Sequence, residues 1–379
     1  MSVQGIEVSI VIPCLDEECT VGFCVEKARR YFMERAVVGE IIVVDNGSTD
    51  RSPQMAAAAG ARVVTEPVRG YGAAYLRGFR EARGESIVMA DADDTYDLSR
   101  LEEFLEPLKQ GYDLVMGSRF RGKIQPGAMP WANRYIGNPL LSGLYRLFFR
   151  TRLSDIHCGM RSFTRAAFQK LRLRCLGMEF ASEMILEALQ KDLKILEVPI
   201  DYHPRRGRSK LKPLKDAWRH LRFMLLFCPT WLYVVPGTVC AALGFFCMVL
   251  LMNGPVKFLG HAWDIHMLIF AAFFGIFGYQ LVTTGLYAKM FAVQQAYLER
   301  DATLNWFARY LRLEIGILVG SVLLIIGVTI NVGIFIEWWT NSFGPLYRIR
   351  ESIAGMTFMI LGLQTVFSSF FLSLLSIRR

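Results

Sequence analysis

The sequence predicts an α/β domain with a mostly parallel sheet, followed by an all-α membrane region of four helices. Three observations carry this prediction. Short apolar runs alternate with helical stretches over residues 1–120, apolar residues concentrate after residue 225, and the hydrophobic fraction of 53% is high for a soluble chain. Alternation of strands and helices at this spacing is typical of a doubly wound parallel sheet. We therefore expect a soluble domain over residues 1–225 and a membrane domain over residues 226–379.

Five segments of the soluble domain are predicted as strands, because they are rich in β-branched residues and almost continuously apolar. They are residues 8–13, 40–45, 61–64, 86–90 and 114–117. The segments between them have the composition of helices, over residues 17–35, 52–59, 72–83 and 98–108. Ligands bind such sheets beyond the carboxyl ends of the strands, so we expect the functional site there.

Two further segments are predicted as basic amphipathic helices, over residues 131–149 and 214–227. Helices of this kind tend to lie in the membrane interface, and the alternative is that they are ordinary helices facing a core. The second segment favours the interface because it runs directly into a membrane span.

Four apolar stretches follow, over residues 229–252, 264–288, 313–336 and 351–376. Each exceeds the roughly 20 residues that cross a bilayer. The connection over residues 289–312 carries four Lys or Arg residues, and with four spans it shares a side with the N-terminal domain. The positive-inside rule then predicts a multi-pass protein of the cytoplasmic membrane whose soluble domain lies in the cytoplasm.

Charge divides the soluble domain into two parts. Residues 1–118 hold 12 Lys/Arg and 20 Asp/Glu, a net charge of −8, whereas residues 119–222 hold 22 and 8, a net charge of +14. The acidic part suits a divalent cation, and the basic part suits phosphates or an anionic lipid surface. The alternative is a solvated charged surface. Nucleic acid is not the expected partner, because the basic segment runs into membrane sequence.

An acidic cluster, Asp91-Ala92-Asp93-Asp94, follows the strand predicted over residues 86–90. Carboxylates two residues apart can present oxygens to one hard cation, Mg²⁺ or Mn²⁺, and such an ion bridges diphosphate oxygens. The alternative is a solvated turn, but the apolar run before the cluster argues against an exposed position.

A second acidic motif follows the strand predicted over residues 40–45. Asp45 ends that strand and is placed to hydrogen-bond a ribose or a base edge. The alternative is a helix N-cap, with Ser48, Thr49 or Asp50 opening the next helix and Pro53 in its first turn. Both can hold at once, because Asp45 precedes the cap.

Five motifs in fixed order carry a family resemblance over about residues 6–225. They are Ile12-Pro13-Cys14-Leu15-Asp16-Glu17-Glu18, the run over residues 45–50, Arg69-Gly70-Tyr71-Gly72-Ala73-Ala74, the cluster over residues 91–94, and Gly117-Ser118-Arg119-Phe120. The set resembles family 2 glycosyltransferases of GT-A fold, and more narrowly the dolichyl-phosphate mannose synthase and polyprenyl-phosphate glycosyltransferase group.

The resemblance implies the residues of the site. The nucleotide pocket would be lined by Pro13, Asp16, Glu18, Asp45 and Asp91. The cation would be held by Asp91 and Asp93, with Asp93 the more direct ligand. The acceptor phosphate would meet Ser118, Arg119, Arg134 and Asn138. The loop that closes over the diphosphate would contribute Arg206, Arg208, Ser209 and Lys210. Asp155 would orient the reaction or act as its base, which makes Asp93, Arg119 and Asp155 the expected catalytic residues.

The activity implied by this resemblance is transfer of a single hexose, with inversion, from UDP-glucose or GDP-mannose to dolichyl or undecaprenyl phosphate. The partners are thus a nucleotide sugar, a lipid phosphate and the membrane, and the chain is compatible with an oligomer. One alternative is a processive polysaccharide synthase, but the Gln-x-x-Arg-Trp motif of those enzymes is absent from the sequence. Another is a lipid transporter or scaffold with a vestigial domain, against which the intact acidic motifs argue.

Overall fold

The computed structural model describes residues 5–207, 213–258, 260–295, 298, 304–305 and 313–376, with side chains from residue 217 onward in the helix that begins at Pro213. Two compact units divide the chain, Met1–Met224 and Leu225–Arg379. The first contains a seven-stranded sheet and the second contains long apolar helices.

The sheet of the first unit has the strand order β3-β2-β1-β4-β6-β5-β7. Its strands are β1 (Val8–Cys14), β2 (Gly39–Asp45), β3 (Arg62–Thr65), β4 (Ser86–Met89), β5 (Leu114–Ser118), β6 (Arg161–Thr164) and β7 (Ile195–Pro199). β6 is antiparallel to both of its neighbours, and the other pairings are parallel. The predicted mostly parallel α/β fold is therefore confirmed.

β6 and β7 were not predicted from the sequence. β6 is only four residues long and reads Arg-Ser-Phe-Thr, so it lacks the apolar run that identified the other strands. Its Arg161 and Ser162 are nevertheless fully buried, because both satisfy backbone carbonyls inside the domain. These hydrogen bonds of Arg161 and Ser162 go to residues that only the tertiary fold brings close. They therefore leave no periodic signal in the sequence.

Eight helices begin within the described part of the first unit, and the first four pack against the sheet. The eight are α1 (Val21–Glu34), α2 (Ser52–Ala58), α3 (Tyr71–Glu81), α4 (Glu102–Lys109), α5 (Asn138–Phe149), α6 (Arg165–Lys170), α7 (Phe180–Gln190) and α8 (Pro213–Leu226). α1 begins four residues later than predicted, because Asp16 has a left-handed φ of +47° and residues 15–20 form a loop. A π-helical turn, Asn133–Gly137, precedes α5.

Alternate residues of β1 face different helical layers. Ile10 and Ile12 pack in a cluster with apolar residues of α1 and α4, whereas Val11 faces Gly78 of α3 on the other side. A Cβ at Gly78 would lie 2.9 Å from Cγ2 of Val44, so the glycine lets α3 approach the sheet closely. The sheet is thus buried on both faces, as its continuous apolar strands predict.

Among its described residues, the second unit has four helices that are long and apolar enough to cross a membrane. They are α9 (Val235–Met252, preceded by a π-helical turn, Thr230–Val234), α10 (Ile265–Gln294), α11 (Leu313–Thr340) and α12 (Ile349–Ser376). A short hairpin of β8 (Val256–Phe258) and β9 (His261–Trp263) joins α9 to α10. The chain is therefore a multi-pass membrane protein.

Glycines let α11 and α12 approach each other closely. A Cβ at Gly320 would lie 2.8 Å from the carbonyl oxygen of Gly362, and one at Gly327 would lie 2.6 Å from that of Gly355. Small residues at such a contact are typical of helix pairs in membranes, where close backbone packing drives association.

Candidate active site

Four predicted site residues follow strands that end at the same edge of the sheet. β1, β2 and β4 are parallel, and β5 has their direction because β6 is antiparallel to both β4 and β5. Asp16, Asp45, Asp91 and Arg119 lie at or just beyond the carboxyl ends of these strands. This edge is where α/β sheets bind ligands.

Hydrogen bonds tie the loop after β1 to the loop after β2. Oδ1 of Asp16 accepts from the backbone N and the Oγ1 of Thr49, at 2.7 and 3.1 Å, and the amide of Asp16 donates to Oγ of Ser48 at 3.0 Å. The amide of Glu18 donates to Oδ2 of Asp50 at 3.1 Å. The two predicted pocket residues therefore fix the shape of these loops.

Asp45 is buried at the end of β2, where β1 places Pro13 beside its strand in register with Val44. Oδ1 of Asp45 accepts the amide of Ser48 at 3.1 Å, so the carboxylate caps the following turn. Asp45 thus caps a turn and also lies at the edge where a ribose or base would bind. The capping interpretation and the ligand-binding interpretation of this motif are compatible.

Asn46 organises a third loop and was missed in the sequence. Its Nδ2 donates to the carbonyls of Glu66 and Val68, at 2.9 and 2.8 Å, and its Oδ1 accepts the amide of Gly70 at 2.7 Å. All three bonds go to backbone atoms about 20 residues away, so this side chain holds the 66–70 loop against the site. Its position directly after Asp45 was the only available signal.

Asp91 is held by two tyrosines of α3. Its Oδ1 accepts from the hydroxyls of Tyr71 at 2.9 Å and Tyr75 at 3.3 Å. Burial and, secondly, the neighbouring charge of Asp93 raise the pKa of Asp91 to about 7. A Cβ at Gly159 would lie 2.6 Å from Oδ2 of Asp91, so only a glycine leaves this oxygen room.

Asp93 is buried and carries two kinds of contact. Its Oδ1 accepts from the backbone N and Oγ1 of Thr95, at 3.2 and 2.6 Å, while its Oδ2 lies 3.5 Å from Nη1 of Arg205. Nη2 of Arg205 also lies 2.6 Å from Oε1 of Glu17. An arginine that the sequence had not singled out thus bridges the loops after β1 and β4.

The Asp91–Asp93 pair fits a hard divalent cation in its chemistry. The two carboxylates are close enough for the charge of one to raise the pKa of the other, as two ligands of one ion would be. Within the described ranges, no group of three or more His, Cys, Asp or Glu side chains is placed to hold a metal ion. The pair would therefore supply two ligands, and a Mg²⁺ or Mn²⁺ ion would take the others from water and substrate oxygens.

Arg119 and Asp155 form a buried, two-pronged ion pair. Nε of Arg119 donates to Oδ2 of Asp155 at 2.6 Å, Nη2 donates to Oδ1 at 2.8 Å, and the amide of Arg119 donates to Oδ2 at 3.1 Å. Burial alone would lower the pKa of Arg119, but the charge of Asp155 raises it well above its ordinary value. Asp155 is 0% exposed. A base role for Asp155, or a forked grip of Arg119 on a phosphate, would require this pair to open.

Ser118 belongs to a buried network that supports this pair. Its Oγ lies 2.7 Å from Oγ of Ser154, which donates to Oε1 of Glu197 at 2.8 Å. Oε1 of Glu197 also accepts the amide of Asp155 at 2.8 Å. Ser118 is fully buried, so in this arrangement its hydroxyl positions the Asp155 loop rather than facing a ligand. Glu197 was not predicted as a site residue, because it comes close to the Asp155 loop only through the position of β7 in the sheet.

Arg134 and Asn138 lie one helical turn apart, at the π-helical turn and the start of α5. Both are half-buried, and the guanidinium of Arg134 lies 5.4 Å from the ring centroid of Tyr135. Arg134 has no ion pair with a carboxylate of the described part of the chain. The described hydrogen bonds and ion pairs therefore do not join this predicted phosphate ligand to the Arg119–Asp155 pair.

The predicted basic loop is described only in part. Nε of Arg206 lies 3.2 Å from Oδ2 of Asp94, beside the acidic cluster, and its amide donates to the carbonyl of Asp93 at 3.3 Å. Arg208, Ser209 and Lys210 lie outside the described residues. The described end of the loop thus reaches the predicted cation site.

His157 is a half-buried histidine beside the Arg119–Asp155 pair. Both of its ring nitrogens are buried without a hydrogen-bond partner in the described part of the chain. Its ring centroid lies 4.4 Å from that of His220, on α8. Burial, followed by the neighbouring His220 and Arg119, holds the pKa of His157 well below its ordinary value. The side chain is therefore neutral in the folded protein at pH 7.

Acid should destabilise the protein through His157. The unfolded histidine binds a proton below about pH 6.5, whereas the folded one does not, so the free energy of unfolding falls as pH drops below that value by up to about 1.4 kcal/mol per pH unit. In His157→Phe this contribution should disappear. Denaturant unfolding of the detergent-solubilised chain between about pH 5 and pH 7.5 measures it. Parallel curves for the two proteins would contradict the assignment.

Comparison with known families gives two matches along the chain. The family model described as glycosyl transferase family 2 matches residues 9–172, and that described as the glycosyltransferase family 2 C-terminal transmembrane region matches residues 286–376. The first covers β2 to β6 and most of β1, with the loops that carry Asp16, Asp45, Asp91 and Arg119, and the second covers α11 and α12.

Individual relatives extend the similarity over most of the chain. The low-salt glycan biosynthesis hexosyltransferase Agl6 of Haloferax volcanii is 39% identical over 96% of this chain and 88% of its own length. A dolichyl-phosphate hexose transferase of the same organism is 32% identical over 55% of this chain and 87% of its own length. The crystal structure of a mycobacterial protein superposes with a TM-score of 0.50 at 24% identity, over 59% of this chain and 74% of that one, and shows the shared fold.

Proposed function

The chain belongs to glycosyltransferase family 2, and we propose that it transfers a single hexose from a nucleotide sugar to the phosphate of a polyprenyl lipid, with inversion. The predicted family resemblance is thus confirmed, and the chain is a glycosyltransferase. In the proposal the donor is UDP-glucose or GDP-mannose and the acceptor is dolichyl or undecaprenyl phosphate. The similarity to a dolichyl-phosphate hexose transferase supports a lipid phosphate as the acceptor.

One observation carries the proposal: the acidic pair Asp91 and Asp93 lies at the ligand-binding edge, and basic side chains of residues 205–206 reach the same place. A donor diphosphate needs cation cover as its bond to the sugar breaks. When bound by Asp91 and Asp93, Mg²⁺ or Mn²⁺ would neutralise charge on the leaving diphosphate. Arg205 and Arg206 add positive charge that the protein itself supplies.

The nucleoside end of the donor is placed by the loops after β1 and β2. Asp16 and Asp45 hold these loops in shape and present oxygens at the sheet edge. Carboxylates at this position can accept hydrogen bonds from a ribose hydroxyl or a base. The hydrogen bonds between these two loops keep the pocket preformed, which lowers the entropy cost of binding the donor.

The acceptor phosphate needs positioning more than deprotonation. A phosphate monoester has its second pKa near 6, so it is already largely a dianion at pH 7. In the proposal Arg134 and Asn138 hold this dianion, since Arg134 is not engaged by a carboxylate of the described residues. Arg119 at the end of β5 would join them when its pair with Asp155 opens, because the closed pair carries no net charge.

The lipid tail reaches the site along the membrane interface in this proposal. The π-helical turn, α5 and the residues just before them carry exposed large apolar side chains: Trp131, Tyr135, Ile136, Leu140 and Leu147. A helix with such a face and nearby arginines suits the boundary between headgroups and acyl chains. The positive-inside bias of the loops supports a cytoplasmic catalytic domain.

A panel of radiolabelled nucleotide sugars tests the proposal. The purified chain in detergent is incubated with each sugar, polyprenyl phosphate and Mn²⁺, and we expect one donor to move label into the organic phase. Polyprenol without its phosphate is the matched control and should take up no label. Label in a long water-soluble polymer would favour a processive synthase instead, and no transfer from any donor would favour a scaffold.

A further inference from the structure

We infer that Arg205 is a built-in competitor of the divalent cation: it bridges Glu17 and Asp93, and it must release Asp93 for the cation to bind. The inference rests on the proposed function, because it assigns the resting occupant of the same site. Arg205 is not among the residues that the family resemblance implied.

The geometry of Arg205 is that of a resident counterion. Nη2 lies 2.6 Å from Oε1 of Glu17, and Nη1 lies 3.5 Å from Oδ2 of Asp93. The side chains of Glu17 and Asp93 are only 10% and 11% exposed. Charge pairs that are partly withdrawn from water are screened less than surface pairs, so this bridge neutralises much of the acidic site before any ligand arrives.

Backbone bonds hold the Arg205 segment beside the acidic turn. The amide of His203 donates to the carbonyl of Thr95 at 3.0 Å, and the amide of Arg206 donates to the carbonyl of Asp93 at 3.3 Å. Arg205 lies between these two anchors, so its side chain can turn without detaching the segment. The bridge is therefore a local and reversible contact.

The guanidinium of Arg205 also has an unused donor. Its Nε is buried and has no hydrogen-bond partner within the described residues. A buried donor without an acceptor costs free energy, and a diphosphate oxygen would relieve that cost. A diphosphate would therefore compensate Arg205 for the loss of its contact with Asp93, because it supplies an acceptor for Nε. A bare cation would supply no such acceptor.

This arrangement couples cation binding to donor binding. A cation alone must displace Arg205 from Asp93 and leave the arginine without that partner. A cation arriving with the donor offers Arg205 the diphosphate in exchange. Each ligand should therefore tighten the binding of the other through Arg205, and linkage makes this effect reciprocal.

The test is the binding of Mn²⁺ to the full chain in detergent, with Arg205→Met compared with wild type. Electron paramagnetic resonance counts free Mn²⁺ in the absence of nucleotide, and titration with UDP or GDP at saturating Mn²⁺ measures nucleotide binding. We expect Arg205→Met to bind bare Mn²⁺ more tightly and the nucleotide more weakly, each on the order of tenfold. Because the two shifts have opposite signs, a damaged loop cannot mimic them.

Arg62→Met is the matched control. Arg62 also bridges two carboxylates, with Nη2 2.9 Å from Oε2 of Glu40 and Nη1 3.2 Å from Oε2 of Glu81, but it lies at β3. It should leave both affinities unchanged. Unchanged or weaker Mn²⁺ binding in Arg205→Met would overturn the inference and leave the proposed function standing. Absence of Mn²⁺ binding in wild type even when UDP or GDP is present would overturn the cation part of the proposed function, and this inference with it.

Discussion

Replacing Asp93 by asparagine should abolish sugar transfer while leaving the protein folded and expressed. The substitution removes one of the two charges that would hold the cation on the diphosphate. An amide oxygen can still accept the two bonds from Thr95, now made to Oδ1 at 3.2 and 2.6 Å, so the turn should survive. We expect kcat/KM to fall by about three orders of magnitude or more, since the charge stabilises the leaving group in the transition state.

Asp97→Asn is the matched control for this experiment. Oδ1 of Asp97 accepts from the backbone N and Oγ of Ser99, at 3.1 and 2.7 Å, which is the same turn as that of Asp93 four residues earlier. Both variants are assayed for label entering the organic phase, and both are checked by thermal unfolding. Near-normal turnover in Asp93→Asn would show that the cation assignment is misplaced.

Asp155→Asn should destabilise the catalytic domain strongly as well as lower its activity. The substitution leaves the buried guanidinium of Arg119, which is 7% exposed, without its countercharge. Breaking a buried ion pair by removing one partner costs about 3–5 kcal/mol. Denaturant unfolding of the full chain in detergent measures this loss. Glu81→Gln, which removes a half-exposed partner of Arg62 and Arg77, should cost about 1 kcal/mol or less.

A double variant separates the structural role of Asp155 from a role as base. In Arg119→Met/Asp155→Leu both charges leave together, and apolar replacement of a buried pair is often neutral or stabilising. We expect this variant to regain most of the lost stability and to remain poor in transfer, because no guanidinium is left at the end of β5 to meet the acceptor phosphate. Wild-type stability in Asp155→Asn, combined with lost transfer, would instead support the base.

The sequence predicted the fold and the position of the acidic cluster because both depend on local pattern. Asp91 follows a short strand that is apolar and β-branched, and that context alone places it at the edge of a sheet. The family motifs then ordered the loops around it. The GT-A-like sheet and the four apolar helices are confirmed, whereas the roles of the individual site residues stay predictions.

Contacts between distant segments could not be predicted in this way. Arg205 reaches Glu17 across 188 positions, and Glu197 reaches the amide of Asp155 across 42. Neither contact follows from spacing or composition, because each depends on how the chain returns to the sheet. The buried pairing of Arg119 with Asp155 is of the same kind: the sequence shows two charged residues, and the fold makes them one buried unit.

The position of β6 sets the distance between the acidic pair and Arg119. Since it lies between β4 and β5, the ends of those strands are two strand spacings apart, or about 10 Å. The acidic pair follows one of them and Arg119 follows the other. A direct β4–β5 pairing would halve the distance between these strand ends. In the proposed function, the two bound phosphate groups would then lie closer together and repel each other. In the proposed function, the antiparallel strand would act as a spacer between the donor diphosphate at the acidic pair and the acceptor phosphate near Arg119.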